Sequence, residues 1–306
     1  MIIDMHTHLS DIRIYPEYWI ENVKHSIKKK LEKDISARVS DDLIHNYVKN
    51  ALNDLNGDNK IKLMDECRVN KAVLLQTDFG YGREEEEKIY QIVEIHRIIL
   101  EKYPDRLIGF AGIDPRRGKA GIDLFERCIR EYNFRGLKLY PPCGYEIDDR
   151  ELYAFYEICN HYRLPVLIHI GPSWEDMKSS FRYPESVLKV SKEFANIPFI
   201  LGHAALLFYE QSFQLPLERE NIYLEVSGYQ KVKNQKVLAK RMRSLLADCP
   251  NQLLFGSDWP MYSLLKQDIS FFESLDFMTV SQKEKFFYKN ALTVLGMQNV
   301  NESGKG

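Results

Sequence analysis

The stretch "MIIDMHTHLS" (residues 1–10) carries two histidines one residue apart at the end of an apolar run. Ile2 and Ile3 open a strand pattern in which Asp4, His6 and His8 recur at period two. Residues two apart on a strand project to the same side, so both imidazoles are expected to converge on one point. Such a pair makes a metal site if further ligands meet it there.

Seven more short apolar, β-branched runs follow: "KAVLLQT" (71–77), "RLIGFAGID" (106–114), "FRGLKLYPP" (134–142), "LPVLIHIG" (164–171), "IPFILGHAA" (197–205), "NIYLEVSG" (221–228) and "NQLLFGSDWP" (251–260). Between them lie stretches such as "AGIDLFERCIREY" and "NQKVLAKRMRSLLADC", with apolar residues at the i, i+3, i+4, i+7 spacing of a helix. Strand and helix in alternation imply parallel pairing, and eight such units closing a ring predict an α/β fold, the (β/α)8 TIM barrel. Strands of that barrel are buried on both sides and read as continuous apolar runs, as these do.

The span 15–65 is too long for one loop and one helix, and its Lys- and Asp-rich amphipathic pattern predicts a helical insertion after strand 1. There it would sit on the catalytic face, as a lid or an oligomer contact, and it supplies surface for a homodimer. The reading is one domain over 1–298, then a flexible tail over 299–306. "SQKEKFFYKNALTVLG" (281–296) reads as a last helix, with Ser281 as N-cap, Glu284 at the capping-box spacing and Gly296 beyond its end.

At 306 residues and 44% hydrophobic the chain can bury a large core. With 42 basic residues against 44 acidic ones, a net −2, there is no global charge to recruit nucleic acid or membrane, so a small-molecule substrate is expected. Five scattered cysteines, Cys67, Cys128, Cys143, Cys159 and Cys249, form no CxxC pair and fit neither a disulfide framework nor a thiolate zinc site. No leader pattern precedes the first strand and no apolar run approaches a membrane span of about 18 residues. The expected location is cytoplasmic.

Chemistry in such a barrel sits at the carboxyl ends of the strands. Those ends offer His6 and His8 on strand one, Lys138 on four, His169 on five, His203 on six and Asp258 on eight. The other histidines, His25, His45, His96 and His161, fall in helical stretches and read as solvated or half-buried. Imidazoles plus a carboxylate suit Zn²⁺, with Mn²⁺ or Fe²⁺ as alternatives, and an incomplete protein shell leaves room for a water whose pKa the ion lowers towards about 7. Tyr140, Tyr145, Trp174, Arg182, Tyr229 and Trp259 follow strand ends and could line the pocket for a planar or carboxylated substrate. Asp4 would brace the first strand or bind a histidine N–H. Arg116 and Arg117 in "DPRRG" read as a solvated loop.

HxH on strand one, "IHIG" on five, "GHAA" on six, "FGSDWP" on eight and "NALTVLG" at the end resemble the amidohydrolase superfamily. The likeness is to its amidohydrolase-2 branch, the aminocarboxymuconate-semialdehyde-decarboxylase-like enzymes, and spans nearly the whole chain. It implies that His6, His8, His169 and Asp258 ligate one metal ion. His203 would orient water or substrate, and Asp258 would double as proton shuttle. In dinuclear relatives a carboxylated strand-four lysine bridges two ions, so the resemblance allows a second ion held by Lys138 or His203.

The leading functional expectation is metal-dependent hydrolysis of a small amide, lactone or ester. The alternative is non-oxidative decarboxylation, or hydration, of an aromatic or unsaturated carboxylic acid. From another class comes a metal-binding barrel without turnover. A TatD-type nuclease would carry glutamate on strand four, where this chain has Lys138.

Overall fold

The computed structural model describes residues 1–83, 86–171, 173, 183–203, 208–229, 234–260 and 264–297. Strand β1 (Ile3–Thr7) is followed by helices α1 (Glu17–Ile35), α2 (Asp41–Ala51) and α3 (Asp58–Glu66). Alternation then runs β2 (Lys71–Leu75), α4 (Lys88–Lys102), β3 (Leu107–Phe110), α5 (Gly118–Arg130), β4 (Leu137–Leu139), α6 (Tyr153–Tyr162) and β5 (Val166–His169). It continues with α7 (Glu185–Glu193), β6 (Phe199–Gly202), α8 (Tyr209–Glu218), β7 (Ile222–Glu225), α9 (Gln235–Asp248), β8 (Leu253–Leu254) and α10 (Leu265–Glu273). All strand pairs are parallel, in the order β1-β2-β3 and β4-β5-β6-β7-β8.

Backbone hydrogen bonds join these two sheets at both seams. At one, Ala111 N donates to Gly136 O (2.9 Å) and Lys138 N to Ala111 O (2.8 Å); at the other, Met5 N donates to Phe255 O (3.0 Å) and His8 N to Trp259 O (2.8 Å). Eight strands in chain order, joined all round, make the (β/α)8 barrel. Among the described residues no helix is long and apolar enough to cross a membrane.

Side-chain alternation sorts each strand into two layers. Ile3, Met5, Val73, Leu75, Ile108, Phe110, Leu167, Ile200 and Leu254 fill the barrel interior. Ala72, Leu74, Leu137, Leu139, Val166, Ile168, Phe199, Leu201 and Leu224 face the helices. Burying each large aliphatic or aromatic side chain contributes about 1.5–3 kcal/mol. The layering also aims the polar strand ends: Lys138 lies between outward Leu137 and Leu139, so it points inward, as does His169, two residues after Leu167.

Strand β1 departs from plain alternation. Its register on β2 pairs Asp4 with Ala72 and Thr7 with Leu74, three residues against two. The extra residue is a bulge that resets the faces. Ile3 and Met5 point inward before it and His6 inward after it, while Asp4 stays on the outer side. The expectation that Asp4 shares the side of His6 and His8 is corrected by this bulge, whereas the two imidazoles do converge.

Three further expectations are corrected. The N-cap of the last helix is Thr279, whose hydroxyl and Gln282 form the capping box, two residues before Ser281 and Glu284. Arg116 and Arg117 are ion-paired rather than solvated: Arg117 Nε lies 2.6 Å from Asp78 Oδ2 and Arg116 Nη2 lies 2.6 Å from Asp114 Oδ2, which pins the loop after β3. His25, His45 and His161 are exposed, but His96 is fully buried on α4, with Nδ1 at 2.8 Å from Ile92 O.

Candidate active site

His6 and His8 leave the end of β1 towards Asp258, which follows β8. His8 Nε2 lies 3.4 Å and His6 Nε2 lies 3.7 Å from Asp258 Oδ1, and Asp258 N donates to His6 O (2.8 Å). The three side chains form a group able to hold a metal ion. Asp4 braces it from the outer side, where its Oδ1 accepts the N–H of His6 (3.2 Å) and of Ser257 (3.0 Å), tying β1 to the loop that carries Asp258. Gly256 is required beneath: a Cβ there would stand 2.2 Å from Glu225 Oε1 and 2.8 Å from His6 Cβ. His203 and Asp258 both take left-handed backbone, with φ of 54° and 61°. Strain of that kind is held where surrounding contacts over-determine it, commonly at functional sites.

The donor chemistry fits a cation. His8 Nδ1 sits 2.9 Å from the carbonyl oxygen of Leu75 and His6 Nδ1 sits 2.6 Å from Glu225 Oε2, both of which accept. When such a ring ligates an ion it therefore keeps its hydrogen on Nδ1 and turns an Nε2 lone pair towards the Asp258 carboxylate. Three lone-pair donors facing one another are unfavourable unless a proton or metal ion stands between them. A tetrahedral ion with ligands at about 2.0–2.2 Å holds its donors roughly 3.3–3.6 Å apart, close to the spacings found.

Electrostatics point the same way. Burial, with Lys138 nearby, holds His6 well below the usual imidazole pKa; burial, with His203 and Lys138, does the same to His169; burial lowers His203 to about 4. Burial opposes ionisation of Asp258, but without an ion a proton held between it and His8, together with the nearby His203 and His6, outweighs burial and holds its carboxyl well below the usual range. Neutral imidazoles beside an ionised carboxylate are the protonation states that metal ligation needs.

His169 stands next to this group rather than inside it: its ring centroid is 4.9 Å from that of His203 and 4.3 Å from that of Tyr140. His203 in turn lies 4.6 Å from His6, centroid to centroid. Lys138 is 2% exposed and its Nζ has no hydrogen-bond partner among the described residues, while burial pulls its pKa down to about 7 against the nearby Asp258 and Glu225. Of the remaining pocket candidates, Tyr140 is half-buried against His169 and its N–H donates to Tyr145 Oη at 2.6 Å, and Trp259 lies under Lys60, whose Nζ is 4.5 Å from the ring centroid. Tyr229 is fully buried. Trp174 and Arg182 lie outside the described residues.

Two residues that the sequence reading did not single out complete the site. Glu225, at the end of β7, receives His6, and Ser227 Oγ lies 2.7 Å from His203 Nδ1 and 2.9 Å from Glu225 Oε2. Their signal was the lone acid inside the buried run "NIYLEVSG". His6, His203 and Glu225 also approach closely enough for a metal. The 2.6 Å contact there is a hydrogen-bond distance and is filled by a proton, so the His6–His8–Asp258 group is the better candidate.

A (β/α)8 barrel with histidines and a carboxylate gathered at its strand ends defines a class of barrel enzyme built around a divalent ion. The chain belongs to the amidohydrolase family, whose model matches residues 3–297. No curated protein matches it. Among solved structures it is similar to 5-carboxyvanillate decarboxylase from Novosphingobium aromaticivorans complexed with manganese, at 16% identity and TM-score 0.66, covering 97% of this chain and 96% of that one. It is also similar to 2,6-dihydroxybenzoate decarboxylase (14%, TM-score 0.68, 96% and 99%). A third is 4-oxalomesaconate hydratase from Rhodopseudomonas palustris (19%, TM-score 0.62, 97% and 96%).

Proposed function

We propose that this protein is a metal-dependent lyase that decarboxylates an aromatic or unsaturated carboxylic acid without an oxidant. The observation that carries the reading is Lys138: a buried amine, aimed into the barrel and with no hydrogen-bond partner among the described residues, is costly unless a ligand supplies one. A substrate carboxylate would do so, and it would restore the ammonium form that burial disfavours. The decarboxylases among the similar structures support this reading over hydrolysis, and the hydratase keeps unsaturated acids within the substrate class.

The residues to hold the ion are His6, His8 and Asp258, with His169 as a fourth candidate. Zn²⁺ or Mn²⁺ suits that donor set. Such an ion supplies Lewis acidity towards the substrate's oxygens. The net change, R–CO2⁻ plus a proton giving R–H and CO2, needs one proton delivered to carbon and no water. His203 is placed to carry it: its Nδ1 is occupied by Ser227, so Nε2 takes up a proton and passes it on. Lys138 holds the carboxylate, and Tyr140, half-buried against His169, offers a face for a planar ring.

The test is to load the protein with Mn²⁺ or Zn²⁺ and screen hydroxybenzoic and unsaturated dicarboxylic acids for CO2 release in deuterated, ¹⁸O-enriched water. Deuterium on the carbon that lost CO2, with no ¹⁸O in the product, is the expected result. Solvent ¹⁸O in the product without CO2 release would mean hydrolysis or hydration. Lys138→Met should raise KM for the carboxylate substrate at least tenfold.

A further inference from the structure

We infer that Glu225 and Ser227 are positioning residues, a single hydrogen-bonded unit that fixes the tautomer of both His6 and His203. The inference rests on the proton-carrying role of His203 proposed above and extends it to residues outside that step. It follows from counting hydrogens. Glu225 Oε1 accepts the N–H of Ser227 at 2.5 Å. Glu225 Oε2 faces His6 Nδ1 at 2.6 Å, Ser227 Oγ at 2.9 Å and the N–H of His203 at 3.4 Å. Two of these groups are backbone donors, so the side chain is arranged as an acceptor on both oxygens.

The Ser227 hydroxyl has one hydrogen. With that hydrogen given to Glu225, Oγ can only accept from His203 Nδ1, 2.7 Å away. His203 must then carry its hydrogen on Nδ1 and leave Nε2 bare. His6, bound to the same carboxylate through Nδ1, is left with Nε2 bare as well. One carboxylate on β7 therefore presents a lone pair from the end of β1 to the candidate ion and another from the end of β6 to the substrate. Glu225 and Ser227 are both fully buried, so water does not compete for these hydrogens.

The arrangement makes Ser227 more than a packing residue. Without its hydroxyl, His203 Nδ1–H loses its acceptor, and the ring is free to turn or to move its hydrogen to Nε2. Outer partners of this kind are typically worth 10–100-fold in affinity or activity.

The test is nitrogen NMR of the full-length protein labelled with ¹⁵N-histidine, metal-free and zinc-loaded, with the His203 signals identified by their loss in His203→Gln. His203 is expected as the Nδ1–H tautomer in both states. Ser227→Ala should give a mixed or Nε2–H signal, and Ser227→Thr, which keeps a hydroxyl, should restore the original one. In turnover, Ser227→Ala should lower kcat 10–100-fold with KM within about twofold. Glu225→Gln should weaken zinc binding 10–100-fold in a chelator competition, which needs no substrate. An Nε2–H tautomer of His203 in the unmutated protein would overturn the inference, and so would an unaltered tautomer in Ser227→Ala. If Ser227→Ala does not fold, the unmutated spectrum decides. If the tautomer is as expected but the substrate screen yields hydrolysis, the anchor stands and only the lyase reading falls.

Discussion

Asp258 is the residue on which the site depends most directly. It is the ionised member of the His6–His8–Asp258 group and the one through which the loop after β8 returns to β1. Asp258→Asn keeps the shape and removes the charge that balances a divalent ion. Metal content by inductively coupled plasma mass spectrometry should fall from about one ion per chain to a small fraction of that, and turnover at least 100-fold, with the far-ultraviolet circular dichroism unchanged. An undiminished metal content would remove Asp258 from the ligand set. His6, His8, Lys138, His169, His203 and Asp258 were legible because polar side chains at the ends of apolar runs need a reason to be there. Glu225 is not legible in this way, because a single acid in "IYLEV" gives no spacing pattern. Only the folded register shows that it meets a residue 219 positions away.

At the scale of elements, the eight strands could be read from their apolar runs, whereas the bulge in β1 could not, because it exists only as a mismatch with β2. Its consequence is that His6 turns inward, while Asp4, before it, faces outward and is buried with Lys60 of α3. Burial pushes the Asp4 carboxyl up to about 7 and the Lys60 ammonium down to about 7, each drawn back by the other's charge. Lys60 also covers Trp259, the neighbour of Asp258. Helix α3 thus supports both strand ends that carry the candidate ligands. Lys60→Met removes the charge that draws the Asp4 carboxyl back down, and an unneutralised buried carboxylate costs about 1–3 kcal/mol or takes up a proton instead. Denaturant unfolding should show a loss of that size. Adding Asp4→Asn should return a good part of it, since the double variant no longer buries a lone charge. Equal losses in the single and double variants would mean that the two side chains act independently.

For the molecule as a whole, the buried imidazoles set its response to acid. His96 is the clean probe, because it lies on α4 within the apolar layer and its buried Nε2 has no hydrogen-bond partner among the described residues. Burial lowers its pKa from 6.5 to about 4. The unfolded chain therefore binds a proton near pH 6.5 that the folded chain resists until about pH 4. Between those values the unfolded state holds more protons, so stability falls as pH drops. The contribution is complete above about 6.5 and lost through that window, and at one pKa unit per 1.36 kcal/mol it amounts to about 3 kcal/mol. His203, lowered to a similar value, adds a second such term in metal-free protein. A bound ion at the neighbouring imidazoles should offset part of it, because an ion that binds only the folded state stabilises it and competes with protons for the same nitrogens. Thermal unfolding of chelator-treated protein should thus show Tm falling steeply from pH 6.5 to 4. His96→Phe, of similar volume and without a proton to take up, should flatten that fall by roughly the share of one histidine. If His96→Phe leaves the slope unchanged, the imidazole titrates alike in the folded and unfolded chains and the acid sensitivity arises elsewhere.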